Sequence, residues 1–187
     1  MCGICGKLDF TDTPVEKKLL IEMCNSLKYR GPDDCGIHIS QNISEISSPI
    51  KVGLGHRRLS IIDLSPSGHQ PMSNRDGTIW ITYNGEVYNF RELRKELVGK
   101  GHHFRSQSDT EVLLHLYEEE GVDAVKKMNG MFAFAIWDSV KSILWVCRDR
   151  LGIKPLVYSW NGHRFIFASE IKALLCDTSV DKQIDPA

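Results

Sequence analysis

The chain has 187 residues, 42% of them hydrophobic and 25% charged, enough for one globular unit that buries roughly 70% of the surface its unfolded form exposes. Its 23 basic and 24 acidic residues are mixed along the sequence and leave a formal charge of −1, so no electrostatic footprint points to nucleic acid or an anionic membrane. No apolar run approaches the ~20 residues of a membrane span, and the opening Met1-Cys2-Gly3-Ile4-Cys5-Gly6-Lys7 lacks the basic start and apolar stretch of a signal peptide. Small-molecule chemistry in the cytoplasm is the expectation. In that compartment the six cysteines read as thiols rather than disulfides.

In chain order, a strand is expected at Gly3–Phe10. A helix should follow from Pro14 to Leu27: Thr13 with Glu16 has the pattern of a capping box, Pro14 suits a first helical position, and Leu19, Leu20, Met23 and Leu27 share a face. Ser40 to Pro49 is polar enough for a loop. Strands are expected at Lys51–His56 and Ile79–Tyr83, then a helix over Asn89–Leu97. Ser108-Asp109-Thr110-Glu111 is a second capping box, opening a helix whose Val112, Leu113, Leu116 and Tyr117 form an apolar side.

Four more strands are expected at Met131–Trp137, Ile143–Arg148, Leu156–Trp160 and Arg164–Ala168, the last two joined by an Asn161-Gly162 turn. No helix separates them, which argues for antiparallel sheets. Met131–Trp137 is apolar almost throughout, so both of its faces should be buried. With capped amphipathic helices outside, the pattern suggests a helix–sheet–sheet–helix sandwich. No repeat or Ser/Gly linker divides the chain, so residues 1–187 are read as one domain.

Cys2 directly follows the initiator methionine. Its side chain is small enough for removal of Met1, which would put a thiol nucleophile and a free α-amine on one residue. An α-amine has a pKa near about 7.7–8.0, so a neutral fraction is available at pH 7 to take the thiol proton. Position two alone also fits a small residue in a first strand. Cys2-x-x-Cys5 could form a metal knuckle or redox pair, but zinc needs a second ligand pair and the sequence offers none at suitable spacing.

The chain resembles the glutaminase domain of class II glutamine amidotransferases. The resemblance rests on Cys2-Gly3-Ile4-Cys5-Gly6, Arg30-Gly31-Pro32-Asp33, Gly55-His56-Arg57-Arg58-Leu59-Ser60-Ile61-Ile62-Asp63, Tyr83-Asn84-Gly85-Glu86-Val87-Tyr88-Asn89 and Ser108-Asp109-Thr110-Glu111, in that order. Gln70-Pro71-Met72, Asp149 to Leu156 and Ala168 to Leu174 bring it nearest to the N-terminal domain of glutamine-dependent asparagine synthetases. The resemblance implies an α+β N-terminal-nucleophile hydrolase fold, a four-layer αββα sandwich of two antiparallel sheets between helical layers. It also implies attack of Cys2 on the glutamine amide, loss of ammonia from a thioester and release of glutamate by water.

By the same resemblance, the Asn84 side-chain amide and the Gly85 N–H hold the oxyanion. In isolation Asn84-Gly85 also reads as an ordinary turn after a strand. Arg58 is expected to fork onto the α-carboxylate, and Asp109 to accept from the α-ammonium, helped by Glu86 and by backbone groups of Leu59, Ser60, Ile61 and Ile62. An acidic residue in a first turn also serves the helix dipole, and the two roles are compatible. Arg57 should point away from Arg58, because neighbours in an extended segment face opposite sides. Arg30 and Gly31 are expected to position Cys2, although Arg-Gly-Pro-Asp equally suits a rigid turn. His56 and His69 lie nearby in sequence but are not needed as bases.

This domain is expected to need no metal or cofactor. ATP and Mg belong to a C-terminal synthetase domain whose Ser-Gly-Gly-x-Asp-Ser type of loop does not occur here, and the end at Ile184-Asp185-Pro186-Ala187 reads as the start of a linker to it. Expected partners are glutamine and that domain; a homodimer stays open. So do a different ammonia acceptor and a non-catalytic docking or regulatory domain of the same fold.

Overall fold

The computed structural model describes residues 1–11, 13–40 and 51–183. Its elements run β1 (Gly3–Asp9), α1 (Lys17–Ser26), β2 (Asp34–Ile39), β3 (Lys51–Arg58), β4 (Met72–Ser73), β5 (Ile79–Val87), α2 (Phe90–Gly99), α3 (Asp109–Glu120), β6 (Gly130–Asp138), β7 (Ile143–Arg148), β8 (Val157–Trp160), β9 (Arg164–Ala168) and α4 (Ile171–Leu174). The strands form a five-stranded sheet in the order β2-β3-β1-β9-β8 and a four-stranded sheet in the order β4-β5-β6-β7. Every pairing is antiparallel.

Alternation along the strands sorts side chains into three apolar layers. On β6, Ala133, Ala135 and Trp137 join Ile4, Val52, Leu54 and Phe167 between the two sheets. The intervening Phe132, Phe134 and Ile136 pack under α2 and α3 with Leu93, Leu97, Val112 and Leu116. Cys5, Ile166 and Ala168 face the other way, onto Leu20 and Met23 of α1, Leu27 that caps it, and Ala173 of α4. The result is the expected four-layer αββα sandwich, and Met131–Trp137 is buried on both faces for the reason its composition suggested.

The first helix begins later than Pro14. Glu16 is its N-cap without a side-chain hydrogen bond, so the Thr13–Glu16 box does not form; Val15 instead packs on the sheet before the helix starts. The second box is half formed. Ser108 Oγ accepts from the Thr110 N–H, but Glu111 reaches past the cap to the backbone N–H groups of Arg105 and Ser106. Asn161 makes its turn as expected, its side-chain oxygen accepting from the N–H groups of His163 and Arg164, with Gly162 at φ +88°. β2 and the two-residue β4 are additions to the expected strands; in β2, Cys35, Ile37 and Ile39 alternate, and the two isoleucines pack toward α1. The polar loop expected at Ser40 to Pro49 lies outside the described residues after Ser40.

The close approach of α1 to its sheet depends on Gly55. A Cβ there would lie 2.6 Å from Cys5 Sγ and 2.7 Å from Cys24 Sγ, two buried sulfurs that are themselves 3.7 Å apart. Gly55→Ala is expected to push these sulfurs aside and cost about 1–3 kcal/mol, read as a lower midpoint in urea with the slope unchanged.

Candidate active site

The register of β1 on β3 places Cys2. Gly3 pairs with Arg57 and antiparallel partners run in opposite directions, so the residue before Gly3 meets the residues after Arg57. Cys2 Sγ accepts from the Leu59 N–H at 3.4 Å and lies 3.6 Å from the Leu59 carbonyl. Arg30 fixes the same residue from behind, its Nε donating to the Cys2 carbonyl at 2.9 Å while Nη1 pairs with Glu170 at 2.6 Å. Gly31 rests on the backbone of Arg57, where a Cβ would come within 2.4 Å of the carbonyl.

Arg58 ends β3 beside Cys2. The turn after it, built by Asp63 accepting from the N–H and hydroxyl of Ser65, turns the Asp63 and Ser65 carbonyls onto the Arg58 guanidinium. Gly68 gives the guanidinium room. Two carbonyls leave the rest of the five-donor fork for an anion. Arg57, as expected, turns to the opposite side of the sheet, near Cys24 and Cys35.

The other half of the site is one edge of β5. β4 pairs only with Trp80 and Ile81, so from Thr82 onward that edge has no strand beside it. In an antiparallel pair, alternate residues direct their N–H groups to alternate edges. Those of Tyr83, Gly85 and Val87 therefore share the open edge. The Tyr83 N–H donates to Gln70 Oε1 at 2.7 Å and the Val87 N–H to Asp109 Oδ2 at 3.1 Å. The Gly85 N–H between them has no protein partner among the described residues. Asn84 points to the inner face beside it, 2% exposed, and its Nδ2 likewise lacks a partner. Two adjacent donors, the Asn84 amide buried and the Gly85 N–H half-buried, are thus held without protein acceptors at the edge of a cleft that Cys2 also lines. Asn84 and Gly85 are strand residues, which excludes the ordinary-turn reading.

Asp109 sits in the first turn of α3 and is 4% exposed. Its Oδ2 also accepts from the Tyr83 hydroxyl at 2.7 Å, which passes over Gly85; a Cβ at that glycine would lie 2.8 Å from the hydroxyl oxygen. Gln70, which the sequence did not single out as a site residue, ties the two elements by donating to Thr110 Oγ1 at 3.1 Å. The cleft encloses about 100 Å³ and is bounded by Cys2, Arg58, Asn84, Gly85, Glu86 and Asp109, with Leu59, Ile61 and Ile62 on its rim. Ser60 is not part of its wall, and its N–H donates to Asp33 instead. Lys154 and Tyr83 line it without having been expected to.

Burial pushes the Cys2 thiol up, and the Leu59 hydrogen bond, the positive chain terminus and Arg58 only partly offset this. Burial also raises the Asp109 carboxyl above its ordinary value of 3.8 despite the Tyr83 and Val87 hydrogen bonds. His56 is pushed down to about 4 by burial, so it is neutral, and its Nε2 contacts the Tyr83 carbonyl rather than Cys2. His69 pairs with Asp34 on the surface. Neither histidine is a partner of the thiol.

The glutamine amidotransferase domain family matches the chain over residues 1–187. The chain belongs to that family. This amidotransferase domain is 44% identical over 188 residues to asparagine synthetase [glutamine-hydrolyzing] 3 of Bacillus subtilis, covering 99% of this chain and 29% of that protein. It is 42% identical to the putative asparagine synthetase [glutamine-hydrolyzing] 2 of Methanocaldococcus jannaschii, covering 98% of this chain and 36% of the relative. The domain therefore spans about a third of the length of these curated relatives. Among solved structures, the glutamine phosphoribosylpyrophosphate amidotransferase of B. subtilis superposes with a TM-score of 0.75 at 23% identity, over 94% of this chain and 43% of that one. At that identity the likeness is one of fold.

A carboxyl whose folded pKa is raised makes its stabilising contribution below its unfolded pKa and loses it as pH rises through the folded value. Ionised Asp109 therefore costs stability at neutral pH, and an amide in its place removes that cost. Asp109→Asn is expected to unfold at an equal or higher temperature at pH 7, an advantage that shrinks toward acid pH.

Proposed function

We propose that this domain hydrolyses glutamine to glutamate and ammonia through a thioester on Cys2. The observation that carries the reading is the pair of donors at Asn84 and Gly85, the first buried, the second half-buried and both without protein acceptors, beside a thiol. An unpaired buried donor is expensive, and a carbonyl oxygen that becomes negative as the thiol attacks would satisfy both groups. Arg58 and Asp109 supply the cation and anion that match the α-carboxylate and α-ammonium of a free amino acid.

Because burial raises the Cys2 thiol, a base is needed at neutral pH. After removal of Met1, the Cys2 α-amine takes the thiol proton, directly or through water, and the sulfur bonds to the amide carbon. The oxyanion rests on the Asn84 side-chain N–H and the Gly85 N–H. As the C–N bond breaks, the amine returns its proton to the leaving nitrogen and ammonia departs. Water then attacks the thioester, its proton passes to the amine and on to the sulfur, and glutamate is released with the free thiol restored. No metal or cofactor takes part in these steps.

The ammonia acceptor is proposed from the relatives. Their names specify glutamine-hydrolysing asparagine synthesis, and their length beyond the matched region accommodates a synthetase portion in which ATP and Mg would serve the amidation of aspartate. Six free thiols and the absence, among the described residues, of a helix long and apolar enough to cross a membrane support a cytoplasmic setting.

Glutamate and ammonia release from glutamine should be detected once mass spectrometry confirms loss of Met1. Cys2→Ala should abolish turnover and keep glutamine binding, and Asn84→Ala should lower kcat about 10²–10³-fold with a smaller effect on KM. Protein retaining Met1, whose base is locked in a peptide bond, should be inactive. Full turnover by such material would falsify the free-amine mechanism, and undiminished turnover by Cys2→Ala would remove the thioester altogether.

A further inference from the structure

The far half of α3 and the turn after α2 bring two imidazoles and a carboxylate to one point outside the cleft. His102 Nδ1 lies 3.1 Å from His115 Nδ1, His115 Nδ1 lies 2.7 Å from Glu118 Oε2, and that oxygen lies 3.7 Å from His102 Nδ1. The local sequence builds this. His115 and Glu118, three apart on α3, share a helix face. Gly101, at φ +98°, ends α2 with its own N–H on the Val98 carbonyl and the His102 N–H on the Leu97 carbonyl, a helix-terminating motif that delivers His102 against that face.

Two ring nitrogens 3.1 Å apart can share only one hydrogen, and His115 Nδ1 faces the carboxylate as well. A single N–H split between two acceptors is the most this trio can make for itself. A cation in place of that proton gives each of the three atoms a full bond. A point about 2.1 Å from all three atoms exists, roughly 0.9 Å out of their plane, close to the ~0.7 Å of a regular tetrahedron with zinc-like bond lengths.

We infer that His102, His115 and Glu118 bind a divalent cation of the zinc class, with water as the fourth ligand. The surrounding groups suit the task. His102 Nε2 lies 3.0 Å from Glu119 Oε1, the carboxylate–imidazole contact that orients a ligating ring, and Glu118 Oε1 accepts from Asn74 Nδ2 at 3.0 Å. Two nitrogens and one oxygen favour zinc, cobalt or nickel over magnesium or calcium, which take oxygen ligands. The three side chains keep 17%, 10% and 25% of their surface open, which gives a cation a way in and a place for water. The bound ion pins the end of α2 to α3, whose opposite end carries Asp109. Its role is structural, separate from the thioester chemistry.

The test is to treat the purified chain with chelator, remove the chelator, and titrate with zinc, cobalt and magnesium separately. Zinc should bind at one equivalent through these residues and, at about a hundredfold excess over its Kd, raise the thermal midpoint by roughly 5 °C or more; magnesium should do nothing. Bound cobalt should show visible bands without the intense charge-transfer absorption of thiolate ligands. His102→Ala and the near-isosteric Glu118→Gln should each weaken binding at least tenfold while remaining folded and cleaving glutamine when metal-free. No binding by the parent chain, binding retained by both variants, or a thiolate signature that disappears in Cys2→Ala would overturn the assignment.

Discussion

An unpaired strand edge inside a protein is a row of backbone groups that must be satisfied somehow, and the working half of this domain is organised around one such edge. β4 covers β5 for two residues and stops. Beyond that point the strand's outward N–H groups are met by a glutamine side chain and by a carboxylate from the start of a helix, with one left over between them. Gln70 and Asp109 are therefore as much sheet-edge caps as site residues. They hold Tyr83 and Val87 in extended geometry, and that keeps Gly85 facing the cleft. If the strand were paired along its full length there would be no donor to offer; if it were uncapped there would be no strand.

The other half follows from the pairing of β1 with β3. Side chains alternate with a period of two, so a slip of one residue in that pairing would turn Cys2 away from the cleft. Arg30 on the Cys2 carbonyl and Gly31 against the Arg57 backbone oppose such a slip from the same loop. The polar groups that result are costly to bury, and the apolar layers around them meet that cost. Asp109 is held above its ordinary pKa and Asn84 has a donor without an acceptor, both where ligand would relieve them.

Much of this was legible in the residues. The capped start of α3 placed Asp109, the doubly apolar Met131–Trp137 announced stacked sheets, and alternation separated Arg58 from Arg57. Where local pattern misled, a tertiary contact explains it. Thr13 and Glu16 carry a capping signature, yet the packing of Val15 against the sheet delays the helix to Lys17. Asn84-Gly85 has the sequence of a turn but lies in mid-strand, because the partner β6 continues past it. Gln70, Tyr83 and Lys154 lie in segments that carry the resemblance, yet nothing local assigns their side chains to the cleft, since what puts them there is contact with residues far along the chain. Of the edge strands, the two-residue β4 is too short to show a pattern, whereas Cys35, Ile37 and Ile39 of β2 do alternate and the signal was there to be read.

Cys2 stands at the end of one sheet and the Asn84 and Gly85 donors on the other, and the distance between the sheets is set by what fills the space. On β6 that filling is Ala133 and Ala135 near the site, Ala133 being the strand partner of Asn84, and Trp137 farther along, facing Ile4, Val52, Leu54 and Phe167. These alanines act as a spacer gauge. A core rebuilt with bulkier side chains would be just as apolar, yet a layer thicker by a fraction of an ångström would draw sulfur and donors apart, and an offset of about 1 Å can cost a hundredfold in rate. The turnover of this domain is thus written partly in methyl groups that never touch glutamine.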